Sequence, residues 1–470
     1  MNKSIMPKVH FIAIGGSVMH NLAIALYNKG YQVTGSDDHI FDPAQNKLAK
    51  YGLLPEAEGW FPQKIHTGLD AVIVGMHARA DNPELLKAQT LGIKTFSFPE
   101  YLYEQTQHKK RIGIGGSHGK TTITSMVMHV LKDQAHHFDY MVGARLEGFE
   151  TMVGLSDHTS MAILEGDEYL SSPLDPRPKF HLYRPHIALI SGISWDHINV
   201  FPTFNQYVEQ FRIFIDKIQS NGTLIYYKYD KTLQALLPGV RKDIRKLPYS
   251  AHPAKVSRQQ NILHTPEGKD IPVQVFGNHN LENISGALLV CKELGIQEAA
   301  FYKSVRHFRG ASGRLQLLAQ NDHTCIYLDF AHAPSKLEAT IAAMKQKYPQ
   351  KELIAVLELH TFSSLNKDFL NQYHGKIRQA EIPVVYYNPE NIKHKNLEPF
   401  DKDYVKKAFD QPDLRVFQNN EKMLAALRSY PRHNKIWLFM TSGNFNGINL
   451  KTLASELLHN GLLLVPLVFF

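Results

Sequence analysis

The stretch Arg111-Ile-Gly-Ile-Gly-Gly-Ser-His-Gly-Lys-Thr-Thr122 carries the reading of the fold. It opens as a short apolar run, turns at its glycines, and from Lys120 apolar residues return at helical spacing through Leu131. A strand that ends in glycines and opens a helix aims unpaired backbone N–H groups and the positive end of a helix dipole at one spot, which is a receptor for phosphate. Gly119-Lys120-Thr121-Thr122 adds a lysine able to reach β- and γ-phosphates and a hydroxyl placed to ligate Mg²⁺. The loop departs from a strict Walker A pattern, because Ile114 stands six residues before Lys120 and the glycines fall at 115 and 116. The expected ligands are ATP and Mg²⁺.

Upstream, Phe11-Ile-Ala-Ile-Gly-Gly-Ser17 repeats the arrangement. Val9–Ile14 is expected as a strand, the segment after Ser17 as a helix, and Tyr31–Gly35, Ala71–Val74 and Thr95–Phe98 as further strands. Gly15, Gly16 and Ser17 form a second candidate phosphate loop, although a tight strand–helix turn explains those glycines equally well. Asp37, about twenty residues on, stands where a carboxylate can accept from a ribose hydroxyl. Downstream of the central loop, strands are expected at Met161–Glu165, Ile187–Ser191 and Thr223–Tyr227. A third block follows Arg314, with strands at Cys325–Phe330, Leu353–Leu357, Val384–Tyr387 and Ile436–Met440, a helix from Ser335, and a closing helix carrying Leu450, Leu453 and Leu457. Strands alternating with helices make this an α/β protein of three blocks. A chain of 470 residues fits that number at roughly 100–200 residues per domain.

Composition excludes several classes. Apolar residues make up 43% and charged residues 20%, which suits packed cores and not a disordered polymer. The final apolar stretch, Leu462–Phe470, is interrupted by Pro466 and far short of the roughly 20 residues that cross a bilayer. It reads as a packed strand or a subunit contact. The N-terminal apolar run breaks at Gly15-Gly16, unlike a secretory signal. Two cysteines, Cys291 and Cys325, give no disulfide framework and suit the cytoplasm. The net charge of +8 favours anionic partners. The short basic run His108–Arg111 has no interleaved aromatics, so phosphorylated small molecules are expected rather than nucleic acid.

Two polar strand ends complete the central block: Glu165-Gly-Asp-Glu168 and Asp196-His197. Ligands in open α/β sheets gather at the C-terminal ends of parallel strands, and a hard carboxylate on Mg²⁺ is expected there. Either group alone reads as a surface acidic cluster or a hydrogen-bonded histidine; beside Lys120 they read as a metal–nucleotide site.

Taken together, Gly116-Ser-His-Gly-Lys-Thr-Thr122, Glu165-Gly-Asp-Glu-Tyr169, Trp195-Asp-His197, Gly277-Asn-His-Asn-Leu-Glu-Asn283, Gly310-Ala-Ser-Gly-Arg314 and Asp329-Phe-Ala-His-Ala-Pro334 resemble the Mur ligase family of peptidoglycan synthesis. The resemblance implies three domains: a Rossmann-like UDP-sugar domain over 1–107, a P-loop central ATPase domain over 108–316 and a Rossmann-like domain for the incoming amine over 317–470. It implies attack of the lactyl carboxylate of UDP-N-acetylmuramate on the γ-phosphorus of ATP, giving an acyl phosphate that an amine then displaces. Three domains around two nucleotides also imply an open-to-closed rotation.

Residue by residue, the resemblance implies an ATP loop of Gly116, Ser117, His118, Gly119, Lys120, Thr121 and Thr122. Nucleoside contacts fall to Asn280 and Asn283, and closing contacts to Arg314 and Asp329. Catalytic roles fall to Lys120, Glu165, His197 and Arg314. Thr121, Glu165 and His197 would hold metal, with two Mg²⁺ expected. Gly15, Gly16, Ser17, Asp37 and His77 would bind the UDP-sugar, and His360, Ser363, Ser442 and Asn444 the acceptor. Asn280 could instead cap its helix, and Arg314 could be an interdomain salt bridge. Ser117 replaces a usual threonine, and Arg212 stands where sibling ligases carry a carbamylated lysine; a cationic arginine is given no metal role. Glu165–Tyr169, Asp175–Pro185 and Met440–Ile448 look most like the recycling branch, which attaches L-alanyl-γ-D-glutamyl-meso-diaminopimelate, and next most like the branch that attaches L-alanine. Leu357-Glu-Leu-His-Thr-Phe-Ser-Ser364 departs from the recycling pattern. The expected oligomeric state is monomer or homodimer.

Overall fold

The computed structural model describes residues 6–256 and 261–458, which leaves the apolar Leu462–Phe470 outside the described residues. The described residues divide into two compact units, one of residues 6–195, 200–251 and 282–308, the other of residues 196–199, 252–256, 261–281 and 309–458.

The first unit holds three sheets, the smallest an antiparallel pair of Leu170–Ser172 with Asp175–Pro178. Its N-terminal sheet is four parallel strands, β1 (Lys8–Ile12), β2 (Gln32–Ser36), β3 (Ala71–Val74) and β4 (Thr95–Ser97), in the order β2-β1-β3-β4. Helix α1 (Ser17–Asn28) follows β1, and α2 (Ala44–Lys50) follows β2. Strand β1 stops two residues short of the expected Ile14, because the chain turns at Ala13, whose φ is +64°. The second sheet contains β5 (Lys110–Gly115), β6 (Asp139–Met141), β7 (Val153–Gly154), β8 (Met161–Glu165), β9 (Ile187–Ile190), β10 (Thr223–Tyr227) and β11 (Arg245–Tyr249). Its order is β11-β10-β9-β5-β8-β6-β7, parallel except for the β6/β7 pair. Ile112, Ile114, Ile163, Leu164, Leu189 and Ile190 are wholly buried. Each such side chain contributes about 1.5–3 kcal/mol through burial, which is why these strands read as unbroken apolar runs. Strands β5, β8 and β9 are neighbours, so the segments leaving their C-terminal ends converge above one edge of the sheet.

The second unit holds a small antiparallel sheet (Ala254–Val256, Asn261–His264, Asp270–Val273) that sequence patterning missed. Its larger sheet contains β12 (Gln316–Gln320), β13 (Cys325–Asp329), β14 (Glu352–Leu359), β15 (Ile382–Tyr387), β16 (Arg415–Phe417) and β17 (Lys435–Met440), ordered β12-β13-β17-β14-β15-β16. All pairs are parallel except β12/β13. The predicted strands match four of these, three extended by one to three residues and Cys325–Phe330 trimmed by one. The terminal helix Leu450–Leu458 buries Leu453, Ala454 and Leu457. Among the described residues no helix is long and apolar enough to cross a membrane.

Candidate active site

Helix α3 (Lys120–Asp133) begins directly after the β5 loop. Gly116 has φ +121°, and a Cβ there would lie 2.3 Å from Ser191 Oγ and 2.7 Å from Ser191 N. Gly119 caps the helix in the left-handed region at φ +73°, and its Cβ would lie 2.2 Å from Asn283 Oδ1. Glycine is therefore needed at Gly116 for both conformation and space, and at Gly119 the bare backbone lets Asn283 approach the loop. The Ser117 N–H donates to Gly192 O at 2.9 Å, and the Ser191 hydroxyl donates to His118 O. These bonds lock the cradle that the sequence pointed to.

The Lys120 ammonium donates to Gly116 O at 2.7 Å and to Glu168 Oε2 at 2.6 Å. Burial works against its charge, but Glu168, Asp167 and Glu165 outweigh it and hold its pKa above the ordinary lysine value. Glu168 is buried and receives a second bond, at 3.0 Å, from the Tyr207 hydroxyl, which lies 2.9 Å from Ser117 Oγ. Tyr207 belongs to helix α4 (Phe204–Asp216). Sequence reasoning gave Glu168 no role of its own and Tyr207 none at all. The signal for Glu168 was its place in the acidic strand end, whereas Tyr207 reads as an ordinary core aromatic. Arg212, on the same helix, is exposed and pairs with Glu209 at 2.7 Å and Asp216 at 2.6 Å, so its charge is spent on the helix surface.

Thr121 Oγ1 donates to Glu165 Oε1 at 2.7 Å, and the Gly143 N–H donates to Glu165 Oε2 at 2.5 Å. A hydroxyl and a carboxylate this close at the start of a phosphate-loop helix are hard oxygen donors that fit Mg²⁺. Among the described residues no three His, Cys, Asp or Glu side chains are preassembled around a metal position. Protein donors alone do not complete such a coordination shell, and phosphate oxygens or water would fill the rest.

The other glycine loop is held by Asp37. Gly15 N–H donates to Asp37 Oδ2 at 2.7 Å, and a Cβ on Gly15 would sit 2.9 Å from that oxygen. Burial, with Asp38 beside it, pushes the Asp37 carboxyl up to about 6. A carboxyl whose folded pKa is raised costs stability while ionised; the cost is full above about pH 6 and is relieved as pH falls toward its unfolded value near 4. Asp37→Asn keeps an acceptor for Gly15 and removes the charge. Urea melts should show the variant more stable than the parent by about 1–3 kcal/mol at pH 8, with the gain shrinking below pH 6. An equal gain at pH 5 and pH 8 would contradict this. His77 is exposed in the turn after β3, at the same C-terminal end of the sheet.

In the second unit, His197 has φ +55° and its N–H donates to Asp196 Oδ1 at 2.8 Å. Ser363 Oγ donates to the same oxygen at 3.4 Å, and His332 Nε2 lies 3.9 Å from Asp196 Oδ2. Burial opposes ionisation of Asp196, yet His197, Lys336 and His332 hold its pKa below the ordinary value. Burial and Lys336 push the His332 imidazole down to about 3, so it is neutral at physiological pH. His332 and Lys336 were not foreseen, although His332 lies inside a quoted motif. Asp329 accepts from Phe330 N–H at 2.9 Å and from Thr340 Oγ1 at 2.7 Å. The Arg314 guanidinium lies 4.4 Å from the Phe330 ring centre. Asn280 lies inside the helix Asn278–Glu293, where its side-chain amide donates to Phe276 O at 2.8 Å.

The predicted acceptor residues divide. Ser363 faces Asp196, whereas His360 and Ser442 lie where β14 and its neighbour β17 end, around the buried Glu358, with the exposed Asn444 in the same loop after β17. Glu358 Oε2 accepts from the Thr441 hydroxyl and from Phe445 N–H at 2.9 Å. Gly443 allows the loop onto His360, since a Cβ there would lie 2.8 Å from the imidazole. Glu358 went unread because a carboxylate in an apolar strand gives no periodic signal.

Three family models match the chain: the Mur ligase family catalytic domain over residues 8–110, the Mur ligase middle domain over 114–291, and the Mur ligase glutamate ligase domain over 313–443. The chain is 30% identical to a UDP-N-acetylmuramate–L-alanine ligase of Sulfurihydrogenibium sp. over 77% of its own length and 78% of the relative's. Among solved structures it is similar to a murein peptide ligase of Psychrobacter arcticus, with a TM-score of 0.67, 22% identity and coverage of 96% and 98% of the two chains. It is likewise similar to a UDP-N-acetylmuramate–alanine ligase of Thermotoga maritima, with a TM-score of 0.69, 18% identity and the same coverage.

Proposed function

The chain belongs to the Mur ligase family of ATP-dependent, ADP-forming ligases, and from that premise we propose that it joins the lactyl carboxylate of UDP-N-acetylmuramate to the amine of an L-alanyl acceptor, free L-alanine first. The observation that carries this reading is the pairing, in one compact unit, of a glycine loop held by Asp37 with a phosphate loop carrying Lys120, Thr121 and Glu165. One loop suits the UDP-sugar and the other ATP. Free L-alanine is favoured by relatives 29–31% identical that are named as ligases for it.

In this mechanism Lys120, kept charged by its carboxylate neighbours, releases Glu168 and takes the β- and γ-phosphates of ATP. Thr121 and Glu165 would hold Mg²⁺, and His197 would ligate a second metal. Bound Mg²⁺ supplies charge neutralisation that lets one anion attack another. The backbone of Gly116 to Thr122 cradles the phosphates, Asn280 and Asn283 position the nucleoside, and Arg314 and Asp329 add phosphate and ribose contacts. Gly15, Gly16, Ser17, Asp37 and His77 hold the UDP-sugar; His360, Ser363, Ser442 and Asn444 hold the acceptor. The division of labour is proposed to follow residues 1–107, 108–316 and 317–470, in a cytoplasmic enzyme that is a monomer or homodimer.

A second reading, with L-alanyl-γ-D-glutamyl-meso-diaminopimelate as acceptor, is favoured by one observation. A cavity of about 440 Å³ beside Thr441, Gly443 and Asn444 is far larger than free alanine needs. Phosphate release and product mass, measured with ATP, Mg²⁺ and UDP-N-acetylmuramate, separate the readings. The expected result is a higher kcat/KM for L-alanine; a higher value for the tripeptide replaces it, and no release with either acceptor rejects the ligase assignment.

A further inference from the structure

Helix α4 starts on a capping box: the Gln206 N–H donates to Thr203 Oγ1 at 3.3 Å, and Gln206 Oε1 accepts from the Thr203 N–H at 3.1 Å. Tyr207 follows directly, so its backbone belongs to a fixed first turn. Its ring packs against Phe201 and Phe211, with ring centres 5.7 and 5.3 Å away. The side chain is wholly buried. What stays adjustable is the direction in which the hydroxyl proton points.

That direction is contested. Three gaps run in series, from Ser194 O to Ser117 Oγ at 2.8 Å, from Ser117 Oγ to Tyr207 Oη at 2.9 Å and from Tyr207 Oη to Glu168 Oε1 at 3.0 Å. Each is short enough for a hydrogen bond and needs one proton to become one. A carbonyl and an ionised carboxylate bring none, so two hydroxyl protons serve three gaps. The Ser194 N–H also donates to Ser117 Oγ, at 2.8 Å, which fixes that oxygen without filling any of the three. One gap therefore stays open, and the end that attracts more strongly decides which.

While the Lys120 ammonium sits 2.6 Å from Glu168 Oε2, it meets much of the carboxylate's demand, and Ser194 O keeps its claim on the Ser117 proton. With Lys120 turned to a phosphate, Glu168 is a buried anion that has lost its cation. A hydrogen bond to a charged acceptor is about twice as strong as one to a neutral carbonyl. Both protons then swing the same way: Ser117 donates to Tyr207, Tyr207 donates to Glu168, and the open gap moves to Ser194 O.

We propose that Tyr207 is a positioning residue for nucleotide binding, whose hydroxyl, backed by Ser117, supplies the hydrogen bond that holds Glu168 while Lys120 binds the phosphates. This rests on the ATP reading of the loop. Tyr207 acts through Glu168 and not on the nucleotide.

Titration of the full-length protein with ATP and Mg²⁺, without sugar nucleotide, tests this in the parent, Tyr207→Phe, Glu168→Gln and the double variant. Phenylalanine keeps the ring and removes the proton donor. Tyr207→Phe should weaken ATP roughly 10-fold and raise the KM for ATP to match, with kcat little changed. In the Glu168→Gln background, where no anion is left to hold, the same substitution should alter ATP affinity by less than about twofold. UDP-N-acetylmuramate affinity, which needs no unpaired variant, should be the same in Tyr207→Phe as in the parent. Unchanged ATP affinity in Tyr207→Phe overturns the proposal and leaves the ATP reading intact. An equal loss in both backgrounds, or a parallel loss of UDP-N-acetylmuramate affinity, reduces Tyr207 to a structural role and overturns it too. Failure of the parent to bind ATP rejects the ATP reading and the proposal together.

Discussion

Lys120→Ala is expected to lower kcat at least a thousandfold while UDP-N-acetylmuramate binds within threefold of the parent. The lysine is the cation at the head of the phosphate-loop helix, and its loss removes stabilisation of charge on the transferring phosphoryl group, on the order of 4 kcal/mol in a site sheltered from water. It also strands Glu168, whose carboxylate is buried against it. Breaking a buried pair by removing one partner costs about 3–5 kcal/mol, so the single variant should also melt early. The double variant Lys120→Ala/Glu168→Gln separates the two effects: stability should return and turnover should not. Recovery of turnover in the double variant would show that the single change acts by misfolding. Titration with UDP-N-acetylmuramate and steady-state phosphate release give both readings.

Gly116→Ala should be the most damaging single methyl group in the phosphate loop. At φ +121° an L side chain is strained, and the new Cβ would press on the Ser191 hydroxyl and, at 2.7 Å, on the Ser191 backbone nitrogen. The nitrogen belongs to the segment leaving β9 and cannot rotate away, so the loop itself must shift. A stability loss of about 3–5 kcal/mol follows from combined strain and overpacking, with ATP affinity down at least 100-fold. Gly119→Ala offers a contrast. Its φ of +73° is one that alanine enters for roughly 1–2 kcal/mol, and the atom it meets, Asn283 Oδ1, ends a rotatable side chain. Urea melts and ATP titration should rank Gly116→Ala well below Gly119→Ala; the reverse order would mean that the loop is held from the Asn283 side.

Much of the fold was legible because its parallel strands are buried on both faces. Ile187–Ile190 and Met161–Glu165 are continuous apolar runs, and glycine-rich turns follow β1 and β5 as local sequence features. The antiparallel strands at 254–273 escaped notice because Lys255, His264 and Asp270 break their apolar alternation. The candidate site divides in the same way. Lys120, Thr121 and Glu165 follow from loop and strand-end grammar, and Asp37 from its distance along the chain. Glu168, Tyr207 and Glu358 matter through partners 39 to 90 residues away, and no local pattern records which buried side chain will face which. Arg212 shows the converse: a position singled out only by the family resemblance proved to be an exposed residue paired along its own helix.

The carboxylate on Lys120 gives the loop an anion of its own. If the loop takes ATP as proposed, an incoming triphosphate must exchange partners with the lysine, so the nucleotide affinity becomes the difference between two bonds and not the strength of one. Tyr207 gives Glu168 somewhere to remain when the lysine departs, and so enters that difference from outside the phosphate cradle. The exchange also runs backwards. Under the same reading, once the γ-phosphoryl group has left, Glu168 would compete for a lysine that faces a less highly charged diphosphate, and the residue that delays nucleotide entry would become one that hastens product release.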